Sequence, residues 1–415
     1  MSPMRRTWLC AVLVLAACAS YKPQPIESVP FQERAQTQTL GKVKVTAVVL
    51  SDEESHAVFG VKLARKKIQP VWLRIENGDD QPHWMLPVSV DPDYYAPLEA
   101  AHKARLTWQG SANEAMREDF DRKAIKLRVD PGRVNEGFVY TNLDKGAKAI
   151  NVDLLSRDGI GRVVFVFRIP GLKVDFEEVD FAGIYGAGDY VDVDEAGLRK
   201  ALEELPRAVL GKPGGREGDP INLVLVGEGK DVLAALARRG WDVTETKYGA
   251  SVWRTIWAYL FGYRYRYSPI SPLYVFGRAQ DVGLQKARAT IHERNHLRLW
   301  LSPYRYQGTD VWVGQISRDI GVKFTFKSPT IATHKIDSDV DESRTYLLQD
   351  LFYSGHLGAF GFVTGAEAAS RDAPRENYTG DEYFTDGLRL VAFLRTEETA
   401  VSEVRFLDWG VRPDR

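Results

Sequence analysis

Residues 291–300 read I-H-E-R-N-H-L-R-L-W, and whether they coil or extend decides the architecture of the second half of the chain. His292, Glu293 and His296 spell H-E-x-x-H, which on a helix would place two imidazoles one turn apart on a zinc ion, with the glutamate activating a water. The residues that follow alternate instead. Leu297 and Leu299 fall on one side and His296, Arg298 and Trp300 on the other, the period of a strand. That alternation favours an extended segment and leaves the zinc-peptidase reading without the helix it requires.

As a strand, the segment folds back on 311–317, V-W-V-G-Q-I-S, across a turn at 304–310 whose sharpest bend falls at Gln307 and Gly308. Placing Trp300 opposite Val311 sets Arg298 opposite Val313 and His296 opposite Gln315. One face then carries His296, Arg298, Gln315 and Ser317 beside Trp300 and two valines. Antiparallel sheets commonly wet one side, so the plain expectation is a solvated face with the leucines inward; the functional one is a polar site. Farther on, A-T-H-K-I-D-S-D-V-D-E-S-R (332–344) runs from a strand end into a helix, with Asp339 and Glu342 at capping-box spacing. Asp337, Asp339 and Asp341 imitate the opening of a calcium loop. Its sixth position is Glu342 rather than glycine and its twelfth, Leu348, cannot ligate, which excludes it.

The succession Arg294-x-His296-x-Arg298-x-Trp300, Trp312-x-Gly314-x-x-Ser317-x-Asp319 and Thr333-His334-x-Ile336-Asp337, followed by Glu342 and Arg344, resembles the C-terminal domain of the LssY family. The resemblance covers residues 220–415 and implies a bacterial protein with a shared core there. In several members the domain follows phosphatidic-acid-phosphatase-like modules, but none of that chemistry carries over, because the P-S-G-H type of motif is absent from this sequence. It singles out a site. His296, His334, Asp337 and Asp319 are the candidate catalytic residues, with His296, His334 and Asp337 as ligands of a divalent metal. Arg294, Arg298, Gln315, Ser317 and Arg344 are candidate binding residues, the arginines clamping negative charge.

Residues 1–18 form a secretory leader: Arg5 and Arg6 supply the positive end, 8–15 the apolar stretch, and the segment is too short to span a bilayer. It ends in L-A-A-C, which resembles the lipobox of bacterial lipoproteins and makes Cys18 the lipidated residue. Ala19, in place of aspartate, resembles an outer-membrane address. The other cysteine, Cys10, lies inside the leader, so no thiol is left for a disulfide or for catalysis. With 55 basic and 56 acidic side chains there is no basic stripe of the kind nucleic acid demands.

Residues 19–39, rich in Pro, Gln and Ser, read as a flexible tether. From 40 to 172 come short apolar runs parted by turns such as Asn77-Gly78 and Asp130-Pro131-Gly132, which predict an antiparallel, immunoglobulin-like β-sandwich with one helix near 96–105. A linker at 173–219 holds a short helix at 195–205. The domain at 220–415 opens with a strand at 221–226, a helix at 230–239 and a strand at 241–244, and is expected to be a mixed α/β domain. The whole is therefore α+β and multidomain. Y-R-Y-R-Y at 263–267 puts three tyrosines on one strand face and two arginines on the other, a pattern for meeting anionic lipid or stacking sugars or bases, although aromatic strand faces are usually core. Two functions remain: an accessory or ligand-binding lipoprotein that meets an envelope protein or polymer and faces the periplasm from the outer membrane, or a hydrolase built around His296 and His334.

Overall fold

The protein is seen in a computed structural model that describes residues 21–107, 109–144, 146–169, 180–186, 188–244, 270–287, 294–324 and 332–413. It divides into two compact units, Met1–Leu143 and Asp144–Arg415.

The first unit holds a four-stranded antiparallel sheet in the order Gln36–Leu40, Val43–Val49, Ile68–Asn77, Val134–Asn142. Val48, Trp72 and Phe138 share a rung on one of its faces. Phe59, Met116 and Phe120 join that face to helices Asp52–Phe59 and Gly110–Lys123 in one core. The α+β class is as expected, but the immunoglobulin-like arrangement is not confirmed, because segments read as strands are helical. The run 57–63 ends a helix that Ser51 and Glu54 open with a reciprocal capping box, and Gly60 closes that helix in the left-handed conformation at φ 64°. Those local signals outweigh the β-branched run. Residues 87–90 likewise turn helical at Pro87, which suits a first helical turn.

The expected tether is also structured where it is described. Val29 and Phe31 are buried in this core, and Gln36–Leu40 forms an edge strand. Tyr21, Ile26 and Ala35 pack against the same core, so scattered apolar side chains in a largely polar run dock it.

In the second unit the hairpin Gly146–Ser156 with Gly159–Ile169 stands beside a ten-stranded mixed sheet. The sheet is centred on the stretch quoted at the outset. Arg294–Tyr306 and Thr309–Phe324 form a long antiparallel hairpin, turned at Gln307 (φ 51°) and Gly308 (φ 79°). Two successive positive φ angles match the twist of the strands, and glycine meets the second at no steric cost. The helical H-E-x-x-H reading is thereby overturned: Arg294, Asn295 and His296 are extended, and His292 and Glu293 lie outside the described residues.

The register differs from expectation by two residues. Trp300 faces Val313, Arg298 faces Gln315 and His296 faces Ser317. At the tip Arg305 faces Asp310, four residues from that expectation, and an irregularity between Leu301 and Arg305, where Pro303 has no amide hydrogen for the ladder, takes back two of them. Asp281 braces the strand there, accepting from the Leu301 amide at 2.7 Å, while Arg278 pairs with Asp281 and donates to the Leu301 carbonyl. A two-residue slip leaves every side chain on its original face, so the predicted grouping survives.

Both faces are covered. Leu297, Leu299, Leu301, Trp312 and Ile316 meet helices Gly229–Arg238 and Val340–Ser354 through Val232, Leu236, Leu347 and Leu351. Trp300, Val311 and Val313 meet Leu198 and Leu202 of helix Glu195–Glu203, together with Val209, Leu273 and Val275. Strand Leu223–Val226 lies between the hairpin, antiparallel, and Leu388–Leu394, parallel.

Candidate functional site

Alternation along the hairpin brings Arg294, His296 and Arg298 of one strand and Gln315, Ser317 and Asp319 of the other onto one face, with Arg294 opposite Asp319. The face is not wet. All six side chains are buried, Gln315 completely, which removes the solvated-face expectation. Burying charge is costly unless it is paired, so the partners matter.

Arg294 donates from Nη1 to Gln285 Oε1 at 2.5 Å, and its Nε stands 3.6 Å from Asp319 Oδ2. His296 Nε2 approaches the same carboxylate oxygen at 3.3 Å. Arg298 donates from Nη1 to Gln315 Oε1 at 2.9 Å and from Nε to the Ser271 carbonyl at 3.2 Å. Gln315 passes the chain on, donating to Asp219 Oδ2 at 3.3 Å, and Asn377 donates to Asp219 Oδ1 at 2.8 Å. The result is a network of two guanidiniums, an imidazole, two carboxylates and three amides.

Burial dominates the electrostatics. It pushes the Asp319 carboxyl up to about 7 against the opposing pull of Arg294 and Arg298. It raises Asp219 as well, against the Asn377 hydrogen bond and the charge of Arg298. It lowers Arg294, partly offset by Asp319. The Asp319 carboxyl beside two arginines makes a site that takes up a proton near neutrality, and that proton leaves the cluster more positive.

Asp219 and Asn377 were not among the sequence-derived candidates. Asp219 is one acid between Gly218 and Pro220, just ahead of an apolar strand. Asn377 comes from the loop N-Y-T-G-D, where its Oδ1 accepts from the amides of Thr379 and Asp381 and Gly380 takes φ 77°. The only sequence signal was an acid abutting a buried run and an Asx-type turn of no stated purpose.

Three other candidates fall elsewhere. The His334 side chain lies outside the described residues. Its backbone pairs with Val322, five positions along the strand from the Ser317 that faces His296, or about 16 Å of strand. Asp337 takes its amide to the Arg318 carbonyl, and its Oδ1 accepts from the Asp339 amide, where the chain bends toward the helix Val340–Ser354. Arg344 is clamped bidentately by Asp386 at 2.8 and 2.7 Å and donates to the Leu388 carbonyl, tying that helix to the following loop. The Asp339–Glu342 capping box does not form: no side chain caps this helix, since the Asp339 backbone is drawn into a bridge with Phe384. Asp341 instead accepts from the Thr385 hydroxyl and the Asp386 amide. Among the described residues no group of three His, Cys, Asp or Glu side chains is arranged to hold a metal. Y-R-Y-R-Y at 263–267 lies outside the described residues.

No helix among the described residues is long and apolar enough to cross a membrane. A search of curated proteins finds no match for the chain. Residues 202–388, the part of the chain that builds the hairpin and its polar cluster, match the family model described as LssY C-terminus.

Proposed function

We propose that this chain is a lipoprotein of the bacterial cell envelope, anchored through Cys18 in the outer membrane and facing the periplasm, whose LssY C-terminal domain binds an anionic ligand at the hairpin cluster. The observation that carries the ligand reading is the burial of Arg294 and Arg298 on one sheet face, each with an Nη1 donating to a glutamine amide oxygen. A carboxylate or phosphate offers those donors stronger, charge-assisted bonds than an amide oxygen does, and the glutamines can rotate aside. Proton uptake by Asp319 would accompany binding, since an added negative charge favours the protonated acid.

The test is thermal denaturation of the purified chain with inorganic phosphate, glucose 6-phosphate or acetate. At least one of these raises the midpoint of the second unit, more at pH 6 than at pH 8, and Arg298→Met abolishes the rise. Indifference to all three anions in the unmodified chain would defeat the proposal. The anchor is tested by incorporation of labelled palmitate in cells, which Cys18→Ala abolishes.

A second reading has its own support. The imidazole of His296 within 3.3 Å of a carboxyl that titrates near 7 is an acid–base couple, the minimum needed for hydrolysis of an anionic ester. In that case His296→Gln removes turnover of p-nitrophenyl phosphate while leaving phosphate binding in place.

A further inference from the structure

We propose that the first unit rests directly on the membrane, with Lys22, Lys62, Arg65, Lys66 and Lys67 seated on anionic phospholipid headgroups. The inference deepens the lipid-anchor reading above and rests on it.

The chain is fixed only three residues after Cys18. The Tyr21 hydroxyl donates to Asp119 at 2.5 Å, within a carboxylate site that Lys123 and Arg122 also enter at 2.6 Å each. Next, the Gln24 amide donates to the Ala57 carbonyl at 2.8 Å. Between them Lys22 and Pro23 are laid against the closing turn of helix Asp52–Phe59, so close that a Cβ on Gly60 would stand 2.9 Å from the Pro23 nitrogen and 3.0 Å from the Lys22 carbonyl carbon. Three extended residues span at most about 11 Å. With the acyl chains of Cys18 in the bilayer, Tyr21 is held within that distance of the headgroups, and whatever surrounds Lys22 on the surface faces them.

What surrounds it is basic. Gly60 leads within three residues into the 3-10 turn Leu63–Lys66, where Leu63 is buried and Lys62, Arg65, Lys66 and Lys67 are exposed. None of these four, nor Lys22, forms an ion pair among the described residues. The acids of the neighbouring helix, Asp52, Glu53 and Glu54, stand in its first turn, at the end away from Gly60 and about 12 Å distant along the axis. A short leash and an unpaired cationic surface at its root act together: the leash supplies a high local concentration of lipid, and the cations set which lipid and which face.

The mature chain starting at Ala19, without acyl chains, is mixed with vesicles of phosphatidylcholine alone or of equal phosphatidylcholine and phosphatidylglycerol, and bound protein is sedimented. Binding is expected to the anionic vesicles only. It falls about tenfold or more when Lys62, Arg65, Lys66 and Lys67 are all changed to Gln, and by a similar factor in high salt, where screening shortens to a few ångströms. All four side chains are exposed, and an unchanged thermal midpoint confirms that the variant folds; Lys66→Glu alone gives a smaller drop. Equal binding to both vesicles, no binding to either, or binding untouched by the fourfold change would overturn the inference, the last pointing to a different surface. Failure of the anchor is read separately, from palmitate incorporation in cells, and leaves the vesicle result interpretable.

Discussion

The second unit buries arginine in two ways, and the contrast separates architecture from chemistry. Arg389 is wholly inaccessible and forms no ion pair among the described residues: it donates to the backbone carbonyls of Ile221, Leu202, Leu205, Pro206 and Gly365. Its partners cannot leave. They include the open carbonyls at the end of helix Glu195–Glu203, where a cation also meets the negative end of the helix dipole. Burial without a countercharge draws its guanidinium down to about 10, still charged at any physiological pH. Arg294 and Arg298 are buried nearly as deeply, but besides the Ser271 carbonyl they meet the side chains of Gln285, Gln315 and Asp319, the last a carboxyl pushed up to about 7. A guanidinium held by carbonyls has one arrangement. One held by amides and acids can exchange partners, and a ligand requires that.

The largest effect should come from breaking the fixed clamp. Arg389→Met leaves several buried carbonyls without donors, at a cost on the order of 3 kcal/mol or more, measured as a lower urea midpoint for the second unit. Arg298→Met should cost less, about 1–2 kcal/mol at pH 6, because Asp319 can take up a proton and relieve the charge imbalance. Equal losses for the two variants would erase the distinction drawn between them.

Asp319→Asn sharpens it further. The unfolded carboxyl releases its proton near 3.8 and the folded one near 7, so the folded state holds the extra proton between those values. Stability is therefore greatest on the acid side, falls as pH rises from about 4 to about 7, and is level above that. The asparagine variant should lose a substantial part of this decline, worth a few kcal/mol at most across the window. The check is urea unfolding at a series of pH values; a slope identical to that of the unmodified chain would mean that Asp319 does not titrate there. The smallest effect is expected from Gly308→Ala at the hairpin tip. A Cβ there meets nothing but must adopt φ 79°, at a cost of about 1 kcal/mol with no change in ligand response.

Much of this was open to reading along the chain. Period-two alternation from Leu297 to Trp300 gave the strand, Gln307 and Gly308 gave the turn, and apolar spacing gave the helices Glu195–Glu203, Gly229–Arg238 and Val340–Ser354 to within a few residues. The face grouping His296, Arg298, Gln315 and Ser317 survived even a two-residue error in register, because parity depends only on odd or even displacement. The first unit was harder. A capping box at Ser51 and Glu54 outweighed a run of strand-forming residues, and a largely polar segment docked through scattered apolar side chains such as Val29 and Phe31.

By itself, the order of residues determined which side chains share a face of the hairpin and where the chain turns. Those are local matters, set by backbone period and steric preference over a few positions. The fold alone decided that the polar face is buried, that Asp219 and Asn377, 158 residues apart, meet at 2.8 Å beside it, and that Arg344 serves the helix Val340–Ser354 and not the cluster. Burial and long-range pairing depend on what the rest of the chain packs against a surface. Only that packing raises the Asp319 carboxyl toward neutrality and turns a row of polar residues into a site.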